Sequence, residues 1–302
     1  MKVLFAGDWH GDEDWAAEVI ASAAETGCGW VVQVGDFGFG FFRLGDDPAE
    51  PGDWAPRCPF ARHVSTLAAG AGVRVVFIDG NHDNQVLLGR LAALRGADGD
   101  EGFVPIEDHL WWAPRGHRWT WDGVRFGALG GAYSIDRRWR TKGLDYWSEE
   151  TTTPADVARL GPAPLDVLVS HDGPVLPAGF DPLPRTSHRK VDEASRAQVA
   201  AAVAATPPGL VVHGHWHHRY TAELPVGTGL TRVEGWPPTS KATTVHCSSS
   251  TLAVAPERPR TPAAASGQWA PLTEYPLAAR RSPRSASAIL ASWLVYRVGS
   301  SA

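Results

Sequence analysis

Along the first 236 residues, short apolar runs rich in Val, Ile and Leu alternate with stretches whose apolar residues return every three or four positions. Runs of three to six mostly apolar or β-branched residues predict strands. They fall at Val3–Ala6, Trp30–Val34, Val73–Ile78, Val124–Leu129, Val167–Val169, Leu210–Val212 and Thr231–Val233. The helical spacing predicts helices over Asp14–Glu25, stopping at Gly27, and over Phe60–Ala69, stopping at Gly70. Two more are predicted over Asn84–Arg95, stopping at Gly96, and over Asp192–Ala205, stopping at Pro207-Pro208. Strands that alternate with helices predict an α/β fold.

Two segments break the pattern. Phe37–Pro59, rich in Gly, Phe, Asp and Pro, reads as a long loop. After Trp236 the periodicity fails, and 237–302 is dominated by Pro, Ser, Ala, Thr and Arg. The expected organisation is one domain over 1–236 and a largely flexible tail over 237–302.

Composition changes this picture in one respect, the distribution of charge. The chain carries a formal −5. From Pro237 onward there are seven basic residues (Lys241, Arg258, Arg260, Arg280, Arg281, Arg284, Arg297) and two acidic ones (Glu257, Glu274), so that part is +5 and residues 1–236 carry −10. An acidic body suits clustered carboxylates of the sort a metal site requires, and disfavours a nucleic-acid partner. Cys28, Cys58 and Cys247 are odd in number and widely spaced, with neither a disulfide framework nor zinc spacing. The N-terminal apolar run reads as a strand rather than a leader, and no stretch approaches the ~20 apolar residues of a membrane span. A cytoplasmic protein without a membrane partner is expected.

The chemistry lies where the strands end. Asp8-Trp9-His10 follows the first predicted strand, Gly35-Asp36 the second and Gly80-Asn81-His82-Asp83 the third. Ser170-His171-Asp172 and Gly214-His215-Trp216-His217 follow two later ones. Five strands thus deliver possible metal ligands at their carboxyl ends, the edge where α/β sheets bind ligands. Carboxylate, amide oxygen and imidazole suit Mn, Fe, Zn or Ni. Two cations about 3.5–4 Å apart need a bridge, which a carboxylate such as Asp36 supplies.

The order D-x-H, G-D, G-N-H-D, H, G-H-x-H, running from Asp8 to His217, resembles the calcineurin-like metallophosphoesterase superfamily. D-x-H alone is nearly noise; the specificity comes from five blocks in order, each after a strand. The resemblance implies a four-layer α-β-β-α sandwich of two mixed sheets with a dinuclear metal site at the strand ends. It implies one metal on Asp8, His10, Asp36 and His217, and another on Asp36, Asn81, His171 and His215. His82 would be the general acid or a transition-state stabiliser, oriented by Asp83. The implied reaction is hydrolysis of a phosphate monoester or diester by a metal-bridging hydroxide, with two divalent ions as cofactors and manganese the expected ion in assay. The substrate would be a small phosphate ester or a phosphorylated macromolecule.

Departures from the pattern narrow the branch. Protein Ser/Thr phosphatases carry G-D-x-x-D-R-G and G-N-H-E, whereas this chain reads Gly35-Asp36-Phe37-Gly38-Phe39-Gly40 and ends its third block in Asp83. It is more similar to bacterial and phage members. Such members have further strands after the G-H-x-H block, and Thr231–Gly235 is a candidate. A nuclease would use the same site chemistry. A non-catalytic scaffold of the same fold would be marked by a missing ligand or a missing His82. The H-x-H-x-D-H of metallo-β-lactamase-type hydrolases is absent.

Other residues have plainer readings. His213 reads as a core histidine at a strand end, and His218 as one just behind the ligands or on the surface. The stretch Trp111-Trp112, Trp119, Trp121 reads as sheet packing rather than a base-stacking platform. Arg137, Arg138 and Arg140 are open between a solvated loop and a phosphate clamp.

Overall fold

The computed structural model describes residues 1–40, 58–96, 101–176, 189–236, 243–248 and 251–254, the last two as backbone only. Thirteen strands among these residues form two sheets. The first runs in the order β13-β12-β1-β2-β3-β5-β4 and the second β10-β11-β9-β8-β7-β6. Here β1 is Lys2–Ala6, β2 Trp30–Gln33, β3 Arg74–Phe77, β4 Val104–Glu107, β5 Leu110–Trp112, β6 Arg118–Trp121 and β7 Val124–Leu129. The others are β8 Val167–Ser170, β9 Leu210–His213, β10 Tyr220–Val226, β11 Gly229–Gly235, β12 Thr243–Ser248 and β13 Thr251–Val254. Strands β1, β2, β3 and β5 are parallel, as are β7, β8, β9 and β11; β4, β12 and β13 in the first sheet and β6 and β10 in the second pair antiparallel with their neighbours.

Three apolar layers explain why the strands are apolar on both faces. Val3, Phe5, Trp30 and Val32 of the first sheet meet Phe126, Val167, Val169, Leu210 and Val212 of the second. The alternate positions Leu4, Ala6, Val31 and Val75 face α1 (Glu13–Thr26), α2 (Pro59–Ala71) and α3 (Gln85–Arg95). Leu168 and Val211 face α4 (Pro154–Leu160) and α5 (Arg189–Ala205). The period of two sends successive side chains to opposite layers. The result is the expected four-layer sandwich. Trp119 and Trp121 belong to the layer between the sheets, with Trp111 packed against it, while Trp112 belongs to the helix-side layer.

Helix ends follow the local chemistry. Asp12 caps α1 by accepting the Trp15 amide, and Gly27 closes it at φ 70°. Helix α2 runs through Gly70, where the sequence pattern predicted a stop, and ends at Gly72 with φ 66°. One helix escaped the pattern altogether: α4 is too short to show a period, but a Thr153–Asp156 capping box starts it.

The first sheet also takes strands from beyond Trp236. Antiparallel to β1, β12 pairs Lys2 with His246 and Phe5 with Thr243, and β13 follows it. The remaining parts of the predicted tail, 237–242, 249–250 and 255–302, lie outside the described residues, as do 41–57 of the predicted long loop. No helix among the described residues is long and apolar enough to cross a membrane.

Candidate metal centre

The carboxyl ends of β1, β2 and β3 meet those of β8 and β9, and every predicted ligand lies there. Three ligand groups form. Asp8, His10 and His217 make one; Asp36, His171 and His215 make another; His10, Asp36 and His82 make a third, with the ligand atoms of each within 4.8 Å of one another. Asp36 stands between the first two groups. Its Oδ2 lies 3.7 Å from His10 Nε2, and its Oδ1 lies 3.2 Å from His171 Nε2. Asn81 joins the second group, with Oδ1 3.1 Å from His171 Nε2.

The backbone at these positions is unusual. Six non-glycine residues among those described have positive φ, and five of them are Asp8, His10, Asp36, His215 and His217. The left-handed region costs an L-residue roughly 1–2 kcal/mol, so the chain holds these side chains at a local energetic cost. Such strain gathers at functional sites when the surroundings impose it. Here the strand-end loops are cross-tied. The amides of Asp8, His10 and Gly11 donate to the carbonyls of Gly35, Asp36 and Phe37, at 3.0, 2.8 and 3.1 Å. Gly80 is required by close approach: a Cβ there would collide with the Asp36 carboxylate and the His171 ring.

The donor set fits divalent cations. Asp8 Oδ2 and His10 Nε2 are buried without a hydrogen-bond partner, an arrangement that is costly unless something charged satisfies them. Asp8 Oδ1 accepts the His215 amide at 3.0 Å and lies 3.4 Å from His217 Nε2. Asn81 Nδ2 donates to Ser134 Oγ at 3.0 Å, which turns its Oδ1 inward.

Electrostatics prepare the ligands. Burial opposes the charge on Asp36, but the imidazoles of His171 and His82 hold its carboxyl well below the ordinary range. Burial likewise opposes His171, yet Asp36 raises that imidazole to about 10. Burial keeps His215 neutral down to about 3 and lowers His10 and His82. Asp36 is thus held ionised and His10, His82 and His215 neutral, whereas His217, like His171, is raised: burial opposes its charge, but the hydrogen bond and charge of Asp8 favour it.

Residues behind the ligands carry contacts that no motif announced. The resemblance implied that Asp83 orients His82; its carboxylate is taken up by the backbone. It accepts the backbone amides of Phe37, Gly38, Phe39 and Gly80 at 3.3, 2.8, 2.7 and 2.7 Å. Four amides fill a carboxylate's acceptor sites, so Asp83 ties the loop after β2 to the loop after β3. Arg140 meets the His82 ring instead, with a nitrogen 2.5 Å from Nε2. Ser134 and Glu150, absent from the sequence reading, lie beyond Asn81, and Ser134 Oγ donates to Glu150 Oε2 at 2.6 Å. Burial raises Glu150 to about 7. Its only sequence cue was an acidic residue next to a capping segment, which is not distinctive. Asp172 accepts Ser195 Oγ at 2.6 Å and Trp216 Nε1 at 2.9 Å, fixing the His171 and His215 loops to α5. His213 is a core residue beside Tyr220, as read from the sequence, and His218 is exposed.

A family model described as calcineurin-like phosphoesterase matches residues 1–219. No curated protein matches the sequence significantly. Among solved structures, a Thermus thermophilus protein is similar at 16% identity and a TM-score of 0.47, covering 84% of this chain and 97% of that one. A dimetal phosphatase from Danio rerio shares 14% identity at a TM-score of 0.46, over 82% of this chain and 93% of that one. The phosphopantetheinyl hydrolase of Mycobacterium tuberculosis shares 17% at 0.46, over 78% and 90%. At these values the structural likenesses carry no argument about substrate, and the family rests on the sequence match.

Proposed function

The chain belongs to the calcineurin-like phosphoesterase family and is a phosphoric ester hydrolase, and from that premise we propose that it cleaves a phosphate ester at a two-cation centre held by seven side chains. Asp8, His10, Asp36 and His217 would hold one ion, and Asp36, Asn81, His171 and His215 the other. The observation that carries this reading is the placement of Asp36, with one carboxylate oxygen toward His10 and the other toward His171. When bound, two divalent ions lower the pKa of water and neutralise phosphoryl oxygens. Manganese is the ion we expect to support activity in assay.

The chain's own residues do the rest. The buried wall formed by the two sheets keeps solvent from one side of the site and strengthens its electrostatics. His82, beside Asp36 and 7% exposed, would act as the general acid toward the departing oxygen or as a transition-state stabiliser. The buried, unpartnered Asp8 Oδ2 and His10 Nε2 support an ion-binding centre rather than a vestigial scaffold. The substrate is a small phosphate ester or a phosphorylated macromolecule, and the −10 body disfavours nucleic acid.

A panel of phosphomonoesters, cyclic nucleotides, dinucleotide polyphosphates and single-stranded DNA, assayed with manganese and with chelator, tests the proposal. Hydrolysis lost with chelator and restored by manganese is the expected result. Full activity in protein that elemental analysis shows to be metal-free would overturn it.

A further inference from the structure

The loop after β7 brings three arginines near the site, and the structure separates them. Arg137 lies over the Tyr133 ring and Arg138 over the Trp139 ring, and both are exposed. Arg140 turns inward, its side chain 5% exposed. Asp136 takes one edge of its guanidinium, with Nε 3.0 Å from Oδ2 and Nη2 2.7 Å from Oδ1. This two-point pair fixes the plane of the fork. The other donors then point toward the metal centre: Nη1 donates to Ser134 Oγ at 3.1 Å, and Nη2 lies 2.5 Å from His82 Nε2. Ser134 Oγ also accepts Asn81 Nδ2. The guanidinium is thus braced against a metal ligand on one side and the acid-base histidine on the other.

A guanidinium has only donors, so His82 Nε2 is the acceptor in this contact. That arrangement blocks the nitrogen that a leaving group would need. Asp136 already meets the charge of the guanidinium, and toward the site His82 offers this N–H a neutral acceptor only. An anionic oxygen brought beside His82 is the better partner for the same N–H, and a phosphoryl group supplies one.

We propose that Arg140 binds a non-reacting oxygen of the substrate phosphoryl group, exchanging its His82 contact for the phosphate, and that its fixed charge selects phosphate monoesters over diesters. The inference rests on the phosphoesterase reading above and deepens it. A monoester near neutral pH is a dianion with three terminal oxygens; a diester is a monoanion with two. A buried cation placed by Asp136 interacts with the extra charge, which only the monoester carries. Release of His82 Nε2 follows from the same movement; that nitrogen is unprotonated while it accepts from Arg140, so it takes a proton from solvent before it can pass one to the leaving oxygen. Asp136 and Ser134 are positioning residues for this arm.

The test uses full-length manganese-loaded protein, with wild type, Arg140→Ala and Arg140→Lys compared on ethyl phosphate, 4-nitrophenyl phosphate and bis(4-nitrophenyl) phosphate. Inorganic phosphate binding by calorimetry and metal content by elemental analysis are measured alongside. Wild type should prefer the monoesters in kcat/KM. Arg140→Ala should lower the monoester-to-diester ratio about 100-fold and weaken phosphate binding at least tenfold, with metal content held. Arg140→Lys should recover part of both, since it keeps the charge without the fork. A wild type that prefers the diester, an unchanged ratio in both variants, or unaltered phosphate binding would overturn the inference while leaving metal-dependent hydrolysis intact. Loss of metal from both variants would also overturn it, by making Arg140 a structural brace. Wild type without metal-dependent hydrolysis on any ester, yet with phosphate binding that depends on Arg140, would instead sink the underlying functional proposal.

Discussion

Replacing Asp83 with asparagine keeps the shape of the side chain and removes half of its acceptors. In the native protein Oδ1 accepts Gly38 and Phe39, and Oδ2 accepts Gly80 and Phe37. The carboxylate is fully buried. An asparagine oxygen can keep one pair of amides, but its NH2 then faces the other pair, donor against donor. A buried donor left unsatisfied costs about 1–3 kcal/mol, so Asp83→Asn should destabilise the protein by about 2–6 kcal/mol. The same loop carries Asp36 and is tied to His10 and Gly11, so manganese affinity should fall about 10–100-fold, as for other supports of metal ligands. Burial and the nearby Asp36 push the Asp83 carboxyl up to about 7, so the comparison belongs at pH 8, where the carboxylate is ionised. The assay is urea unfolding in chelator, followed by manganese titration of the folded variant. A loss under about 1 kcal/mol together with native manganese affinity would refute the assignment of Asp83 as the loop staple.

Asp36→Ala should lose both metals, whereas His10→Ala should chiefly weaken one; two retained ions in Asp36→Ala would refute the bridging role. His82→Ala should slow alkyl phosphate hydrolysis about 10²–10⁴-fold and nitrophenyl phosphate much less, since only the alkoxide needs the proton; equal losses with metals retained would assign His82 to charge stabilisation. Glu150 has its pKa raised to about 7 by burial, from an ordinary 4.5. The folded state therefore holds a proton that the unfolded chain has released between these values, and stability should decline with rising pH across that window by up to about 1.4 kcal/mol per unit. Glu150→Gln should flatten this decline in chelator-treated protein, and parallel pH profiles for the two proteins would contradict the burial argument.

The parts legible in the sequence are those with a strong local cause. The central strands β1, β2, β3, β7, β8 and β9 are buried on both faces, so they read as apolar runs whatever their neighbours. The ligands follow directly after such strands, so their positions were legible too. The edge elements were not. Strand β10 is Tyr-Thr-Ala-Glu-Leu-Pro-Val, with exposed positions and a proline, and it is held by pairing with β11 rather than by an apolar run of its own. Strands β4 and β5 are four and three residues long, too short to show a period. The pairing of β12 with β1 joins residues more than 230 positions apart in the chain, through β-branched residues set in a polar stretch. Local composition near Thr243 gives no sign of that partner.

The site divides along the same line. Ligand identity is a matter of residue type and order, which a sequence displays. Geometry at the site is imposed from a distance. Asp8, His10, Asp36, His215 and His217 all take left-handed backbone, yet none is a residue type that requires it. Glycine could adopt that conformation freely but offers no ligand atom; a ligand residue there needs an external constraint. The cross-loop amides from His10 to Asp36 and from Gly11 to Phe37 supply one, and the Asp83 carboxylate holds that same loop from the other side. Each tie joins residues more than 25 positions apart. Strain at one ligand is therefore maintained by a hydrogen bond whose origin lies in another strand. For that reason a sequence in which Asp83 follows His82 suggests only a local, orienting role for it, whereas its carboxylate spans two loops and Arg140 from the opposite sheet meets the His82 ring.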